Sequence, residues 1–177
     1  MQKCIKEILK EAHEYIMAEG FENPGLETKL LVEHIFRNSF HTDREVTHQE
    51  LIHFNEHMEQ LKRKIPIQRQ IGYTIINGKR INITPDVLLP GPEIEIMIDT
   101  FFEYVEDPKK VADLCTGCGV LASIIGERFP EARVYATDIS NKALEVARTN
   151  TRSSNIEFLQ GDLFEPLNKN RIYDMDV

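Results

Sequence analysis

The sequence has no tryptophan, few cysteines, no long apolar run and fewer basic than acidic residues. Its three cysteines, Cys4, Cys115 and Cys118, are too few for a disulfide framework, which excludes the class of small disulfide-stapled secreted domains. No stretch approaches the roughly 18 apolar residues of a membrane helix, and the chain starts with an amphipathic helical pattern instead of a signal-peptide core. The net charge of −8 argues against binding nucleic acid through bulk electrostatics. We therefore predict a cytoplasmic protein with no membrane or nucleic-acid partner.

Three stretches of different pattern follow one another along the 177 residues and together predict an α/β protein. Residues 1–65 have apolar side chains at helical spacing and predict a helical bundle. Residues 66–92 predict a linker with a β-hairpin, because Asn77-Gly78 between two short β patterns suits a type I′ turn. Residues 93–177 alternate between helix and strand patterns. This alternation predicts part of a Rossmann-like, doubly wound parallel sheet, whose ligand lies at the carboxyl ends of the strands.

Two motifs allow metal or redox chemistry, but the interpretation without it is better in both cases. His53 and His57 are four residues apart, which permits a surface metal site. The six histidines are nevertheless scattered over helical patterns, so solvated helix faces explain them better. Cys115 and Cys118 form a C-x-x-C motif, but a glycine turn runs through it and no second pair completes a zinc site. We predict no metal ligands.

The stretch Val111–Val120 has the layout of a nucleotide-type cofactor site. An apolar run ends at Asp113, a glycine loop follows, and an apolar helical pattern begins at Val120. Gly117 and Gly119 open a G-x-G-x-x-A fingerprint, and Asp138 lies 19 residues after Gly119, close to the spacing of a ribose-binding acid. By itself this pattern does not separate NAD from other adenosine-containing cofactors.

Two further acids favour S-adenosylmethionine over a dinucleotide. A carboxylate at Asp113, beside the loop, would repel a pyrophosphate but suits the amino group and sulfonium of S-adenosylmethionine. Asp162, after the third strand pattern, can accept a hydrogen bond from an adenine amino group. The predicted cofactor-binding residues are therefore Asp113, Gly117, Gly119, Asp138 and Asp162. An NAD-dependent oxidoreductase is the less favoured alternative.

At this point the chain resembles the glutamine-N5 methyltransferases that modify bacterial peptide-chain release factors. The resemblance lies in the helical residues 1–65, in residues 65–73, 84–95, 113–119 and 136–140, in the helix running to Ala147 and Asn150, and in residues 161–164. These pieces follow one another in the same order as in that family. It implies a class I methyltransferase fold, S-adenosylmethionine as cofactor and a release factor as partner. It further implies that the helical domain and hairpin recognise the release factor, and that a glutamine side-chain amide receives the methyl group.

The chain also departs from this family. The Asn-Pro-Pro-Tyr motif, which holds the target amide in the family, is absent from the 177 residues, and Gly91 and Ile94 stand where the family has Arg and Thr. We expect a truncated chain with weak or absent cofactor binding and no turnover; a non-catalytic interaction module, either a pseudoenzyme or a gene remnant, is the alternative. If Tyr173–Val177 opens a fourth strand beside Val111–Cys115, the exposed sheet edge predicts a homo-oligomer.

Overall fold

A computed structural model describes residues 3–36 and 42–177 of the protein. The chain forms two compact units, one that ends at Gly72 and one that begins at Tyr73. The residues predicted as a linker, 66–92, therefore lie on both sides of this division. None of the helices in the described ranges is long and apolar enough to cross a membrane.

The first unit is helical, as predicted. Its helices are α1 (Ile5–Ala18), α2 (Pro24–Phe36), α3 (His48–Lys62) and α4 (Ile67–Ile71). Thr47 and Glu50 form the expected capping box at the start of α3, where each side chain binds a backbone N–H that has no partner inside the helix. The helices bury one apolar face each, and the largest buried side chains are Ile5, Ile8, Ile16, Leu30, Leu31, Phe54 and Leu61.

Two details of this unit differ from the sequence pattern. The helical pattern of residues 1–65 extends to Ile65, but α3 ends at Lys62 and Ile65 is 36% exposed. The sequence pattern also gave no sign of α4, which follows Pro66 and ends at Gly72 with a φ of +78°. A helix of five residues is too short for a periodic apolar pattern to be visible.

A buried carboxylate joins α2 to α4. Glu27 is 4% exposed, and its Oε2 accepts a 2.7 Å hydrogen bond from the backbone N–H of Ile67, the first residue of α4. The first N–H groups of a helix lack acceptors within that helix, and Glu27 supplies an acceptor for one of them in α4. Burial raises the pKa of Glu27, and hydrogen bonds from Ile67 and Gln68 oppose that rise.

The second unit begins with the predicted hairpin, formed by β1 (Tyr73–Ile76) and β2 (Lys79–Asn82). Asn77 and Gly78 have φ values of +49° and +73°, as a type I′ turn requires. The buried side chains of Ile76, Ile81 and Ile83 belong to the same apolar cluster as Ile98, Cys118, Val120, Ile124, Ala143 and Val146. The hairpin therefore packs into the core of the unit that contains the glycine loop.

The remaining elements form the predicted parallel sheet and its helices: α5 (Glu93–Tyr104), β3 (Lys110–Leu114), α6 (Val120–Arg128), β4 (Arg133–Asp138), α7 (Asn141–Asn150), β5 (Ile156–Gln160) and α8 (Glu165–Lys169). The strands lie in the order β3-β4-β5 and both pairings are parallel. The alternating apolar residues Val111, Val134 and Ala136 of β3 and β4 are buried in a cluster with Ala122 and Ile125 of α6. This arrangement confirms the α/β fold class and the parallel sheet.

The predicted fourth strand over Tyr173–Val177 is not formed as a strand. Two backbone hydrogen bonds beside β3 are made, from Asp176 N to Lys110 O at 3.0 Å and from Ala112 N to Val177 O at 2.9 Å. Asp174 has a φ of +58°, which interrupts the extended backbone that a strand needs. The segment thus lies on the predicted side of β3, and a homo-oligomer through this edge stays a prediction.

The contact between Glu27 and α4 can be tested by truncating the carboxylate. We expect Glu27→Ala to lower the free energy of unfolding of the helical unit by about 1–3 kcal/mol, because the buried N–H of Ile67 loses its acceptor. Glu33→Ala is the control on the same helix, since it removes only an exposed i,i+4 pair with Lys29 worth a few tenths of a kcal/mol. Urea unfolding followed by circular dichroism measures both, and equal losses would contradict the role given to Glu27.

Candidate functional site

The carboxylate of Asp113 binds both the glycine loop between β3 and α6 and the first turn of α6. Asp113 Oδ2 accepts a 2.6 Å hydrogen bond from the Thr116 hydroxyl and a 3.1 Å bond from the backbone N–H of Ala122 in the first turn of α6. The side chain is buried. Asp113 therefore joins the strand, the loop and the helix start, and its use as a cofactor contact stays a prediction.

Burial also changes the acidity of Asp113. Removal from water raises the pKa of its carboxyl to about 6, and the negative charge of Asp138 adds to the rise. The hydrogen bonds from Thr116 and Ala122 stabilise the charged form but do not offset the cost of burial. The end of β3 thus places beside the loop a carboxyl group whose pKa is about 6.

The two glycines of the loop are required for different reasons. Gly119 has a φ of +76°, and a Cβ there would lie 2.6 Å from the Cβ of Ala147 in α7. Gly117 has a φ of +56°, but the nearest atom to a Cβ there would be Cys115 O at 3.9 Å. Gly119 therefore permits close packing of α7 against the start of α6, whereas Gly117 leaves open space on the loop.

Asp138, at the end of β4, brings the loop and the neighbouring strand ends together. Its Oδ2 accepts a 2.9 Å hydrogen bond from Gly117 N, and its Oδ1 accepts one of 2.9 Å from Ser140 N. Its backbone carbonyl accepts a hydrogen bond from Gly161 N at 3.0 Å, which brings the residues after β5 to the same edge. Asp162 follows Gly161 and is exposed. The structure thus gathers Asp113, Gly117, Gly119 and Asp138 around one loop and places Asp162 at the next strand end.

Exposed apolar side chains accompany these acids, and the sequence analysis missed them. Ile139, directly after Asp138, is 71% exposed, and Leu163, directly after Asp162, is 50% exposed with a φ of +44°. A branched apolar residue with positive φ is uncommon, and such backbone strain tends to occur at ligand sites. The signal in the sequence was an apolar residue after each acid, where a helix or turn entry usually has a polar one.

Cys115 is another non-glycine residue in the left-handed region, with a φ of +59°. Cys115 is exposed whereas Cys118 is buried, and none of the three cysteines forms a disulfide. The structure therefore has no disulfide in the C-x-x-C motif. Cys118 instead packs in the apolar cluster beneath the hairpin.

The positions that depart from the resembled family lie before and within α5. Ile94 packs against the apolar cluster of the hairpin, so its side chain has a packing role. Gly91 precedes the helix, and a Cβ there would meet only the flexible carboxylate of Glu93. The structure does not bring either residue into the hydrogen bonds of the glycine loop among the described contacts.

Three histidines of the helical unit, His34, His53 and His57, line a cavity together with Ile35 and Glu56. His57 Nδ1 lies 2.6 Å from Gln70 Oε1, and His53 Nε2 lies 3.0 Å from Gln49 Nε2, so both rings have amide partners. In the part of the chain that the structure describes, no group of three or more His, Cys, Asp or Glu is placed to hold a metal ion.

Comparison with known proteins identifies relatives. Residues 94–176 match the model of the methyltransferase small domain family. The chain is 34% identical to the release factor glutamine methyltransferase of Bacillus subtilis, over 94% of this chain and 62% of that protein. It is 32% identical to the protein of the same name from Staphylococcus aureus, over 92% of this chain and 60% of that protein. The chain therefore spans about three fifths of the length of these curated relatives.

Solved structures show weaker likeness. An RNA methyltransferase from Salinibacter ruber in complex with S-adenosyl-L-homocysteine aligns at 26% identity with a TM-score of 0.38, over 44% of this chain and 52% of that one. Trm5b from Pyrococcus abyssi aligns at 25% identity with a TM-score of 0.45, over 53% of this chain and 29% of that one. The similarity to known proteins therefore rests on the sequence relatives.

The close approach at Gly119 leads to a prediction about stability. Gly119→Ala should lower the free energy of unfolding by about 2–4 kcal/mol, since it combines an unfavourable positive φ with overpacking against Ala147. Gly78→Ala is the matched control, because Gly78 has a φ of +73° but no atom within 4 Å of a Cβ, and it should cost about 1 kcal/mol. Urea unfolding of the two variants measures the difference, and equal losses would mean that the contact with α7 is unimportant.

Proposed function

We propose that residues 73–177 bind S-adenosylmethionine, from the premise that this chain is a relative of the release factor glutamine methyltransferases and carries a methyltransferase small domain over residues 94–176. The observation that carries the proposal is the convergence of the loop and two strand ends at Asp138. There the Gly117 N–H, the Asp138 carboxylate and the residues after β5 lie together beside space left open by Gly117.

The residues at this edge fit the chemical parts of an adenosyl amino acid. The Asp138 carboxylate can accept hydrogen bonds from ribose hydroxyls, and Asp162 can accept from the adenine amino group. The exposed side chains of Ile139 and Leu163 suit the apolar faces of the base, whose contact removes them from water. When bound, S-adenosylmethionine supplies an electrophilic methyl group on a sulfonium.

The charge at the loop favours this cofactor over a dinucleotide. Asp113 and Asp138 are close enough for their charges to interact, and both lie beside the loop that would face a pyrophosphate. A cationic amino group and sulfonium would reduce the repulsion between these acids, whereas a phosphate would increase it. Asp113 acts here by its charge and by holding Thr116 and the α6 N-terminus, since its Oδ2 already has two donors.

The acceptor that we propose is a glutamine side-chain amide of a peptide-chain release factor, from the names of the relatives. An amide nitrogen is a poor nucleophile, so methyl transfer to it depends on how the amide is oriented toward the methyl group. The Asn-Pro-Pro-Tyr sequence that the resemblance associates with this orientation does not occur in the 177 residues. We therefore name no catalytic residue.

The binding proposal can be tested at Ile139, where truncation should leave the fold intact. We expect Ile139→Ala to weaken binding of S-adenosylhomocysteine roughly tenfold, equal to about 1.4 kcal/mol, because the base loses an apolar contact. Ile96→Ala is the matched control: Ile96 is 67% exposed against 71% for Ile139, but it lies on α5. Isothermal titration calorimetry gives both affinities.

Parallel titrations decide between the cofactors. Saturable binding of S-adenosylhomocysteine, with no binding of NADH by fluorescence, is the expected result. Binding of NADH alone would replace the proposal with an NAD-dependent activity. The absence of binding to either compound would leave the sheet as a scaffold and support a non-catalytic interaction module.

The raised pKa of Asp113 predicts that cofactor binding depends on pH. A cationic ligand favours the ionised form of Asp113. Because burial raises the pKa of this carboxyl to about 6, binding below pH 6 must displace its proton. We expect the affinity for S-adenosylmethionine to rise up to about tenfold per pH unit below pH 6 and to level off above pH 7. Asp113→Asn should flatten this dependence, and a wild-type profile that is flat between pH 5 and 7 would contradict the role of Asp113.

The acceptor is tested separately from binding, with radiolabelled S-adenosylmethionine and a purified release factor. Label on a glutamine of the release factor would support the acceptor proposal in full. Label on another protein or residue type would overturn the acceptor.

A further inference from the structure

The hairpin and the glycine loop are joined by one buried side chain at the end of α7. Asn150 is 5% exposed. Its Oδ1 accepts a 2.7 Å hydrogen bond from Asn82 N, and its Nδ2 donates one of 2.9 Å to Asn82 O. Asn150 thus pairs with the last residue of β2 as a neighbouring strand would, through both backbone groups.

The same amide also reaches the loop. Asn150 Nδ2 donates its other hydrogen to Cys118 O at 2.9 Å. The peptide that begins with Cys118 O ends with Gly119 N, which donates to Thr116 O at 2.8 Å. The peptide plane between Cys118 and Gly119 is therefore held at both ends, and its orientation depends on the position of Asn150.

A second route leads from the hairpin to the same place. The ammonium of Lys79 in β2 donates to Ser123 Oγ at 2.5 Å, and that hydroxyl donates to the backbone carbonyl of Asn150 at 2.8 Å. Ser123 is fully buried in α6, one turn after the loop. Lys79 also pairs with Glu127 on the same helix. A second polar link therefore connects β2 to α6 and to the backbone of Asn150.

We propose that Asn150 is a positioning residue that couples the hairpin to the cofactor loop, so that the geometry of the loop depends on the position of the hairpin. The proposal rests on the proposed cofactor site. A buried amide that loses its partners costs about 1–3 kcal/mol, so the loop and the hairpin cannot shift independently without that cost. By thermodynamic linkage, any partner that changes the position of the hairpin changes the affinity of the chain for the cofactor. The cofactor then changes the affinity for that partner by the same factor.

The variant that tests this coupling is Asn150→Asp. The aspartate still accepts from Asn82 N, but it has no hydrogens for the carbonyls of Asn82 and Cys118. Asn155→Asp is the matched control. Asn155 donates through its Nδ2 to the carbonyls of Gly126, Phe129 and Ala132 at 3.2, 3.0 and 2.9 Å, and none of these belongs to the loop or the hairpin. Lys79→Met is a milder variant that interrupts only the second route.

Two measurements separate coupling from a general loss of stability. In calorimetry, Asn150→Asp should weaken S-adenosylhomocysteine binding at least tenfold and Lys79→Met about threefold, whereas Asn155→Asp stays within about twofold of wild type. In hydrogen exchange, S-adenosylhomocysteine should slow exchange of the Asn82 N–H in the wild type and in Asn155→Asp, but not in Asn150→Asp. Equal affinities for Asn150→Asp and wild type, or equal losses for the two asparagine variants, would overturn the proposal.

The coupling is also distinguishable from the cofactor site itself. If the wild-type chain binds no S-adenosylhomocysteine, the proposed function fails, and the coupling is then judged from exchange without ligand. Faster exchange of the Gly119 N–H in Asn150→Asp and Lys79→Met than in Asn155→Asp would support it. Equal exchange at Gly119 in all three variants would overturn it.

Discussion

The close approach of Gly119 to Ala147 is the contact on which the arrangement of the glycine loop and α7 depends. It lets α7 pack against the start of α6 at a distance that no side chain at position 119 would permit. Because α7 ends at Asn150, the same contact determines where that amide meets the hairpin and the carbonyl of Cys118. The shape of the loop is therefore a property of two helices and a hairpin, as well as of its own glycines.

The acids around the loop have structural partners before any ligand is considered. Asp113 holds the hydroxyl of Thr116 and the N-terminal turn of α6, while Asp138 holds the N–H groups of Gly117 and Ser140. These bonds satisfy donors that a tight turn and a helix start would otherwise leave without partners. A ligand at Asp138 would thus compete with, or share, contacts that already order the loop. The same side chains can serve stability and binding, which is common where loops bear the chemistry on a rigid sheet.

The tertiary structure shows that the hairpin is part of the core of the second unit. In sequence it follows the helical residues and reads as part of a linker, but its isoleucines are buried in the same cluster as residues of α5, α6 and α7. Its two ends are fixed by polar contacts, from Asn77 N to Glu95 and from Asn82 to Asn150. The hairpin is therefore held to the unit that contains the glycine loop by apolar packing as well as by hydrogen bonds.

Local patterns were sufficient for much of the fold. The alternation of helix and strand patterns over residues 93–177 predicted the parallel sheet, and Asn77-Gly78 specified the hairpin turn. These features depend on residues adjacent in sequence, whose preferences for turns and strands are intrinsic. The spacing from Gly119 to Asp138 likewise predicted that an acid follows the second strand of the sheet. Short elements such as α4, and the interrupted backbone at Asp174, gave no such pattern.

By itself, the sequence determined the hairpin, the alternation of strands and helices from α5 to β5, the glycine loop and the acids at the strand ends, because strand, turn and helix signals are local. Only the tertiary structure decided that Asp113 is buried with an altered pKa, that Ile139 and Leu163 are exposed beside the acids, and that Asn150 joins the hairpin to Cys118. Burial and long-range hydrogen bonds depend on which distant residues meet: Asn82 and Asn150 are 68 positions apart. The glycines of the loop could be read in advance, but not the amide that holds them in place.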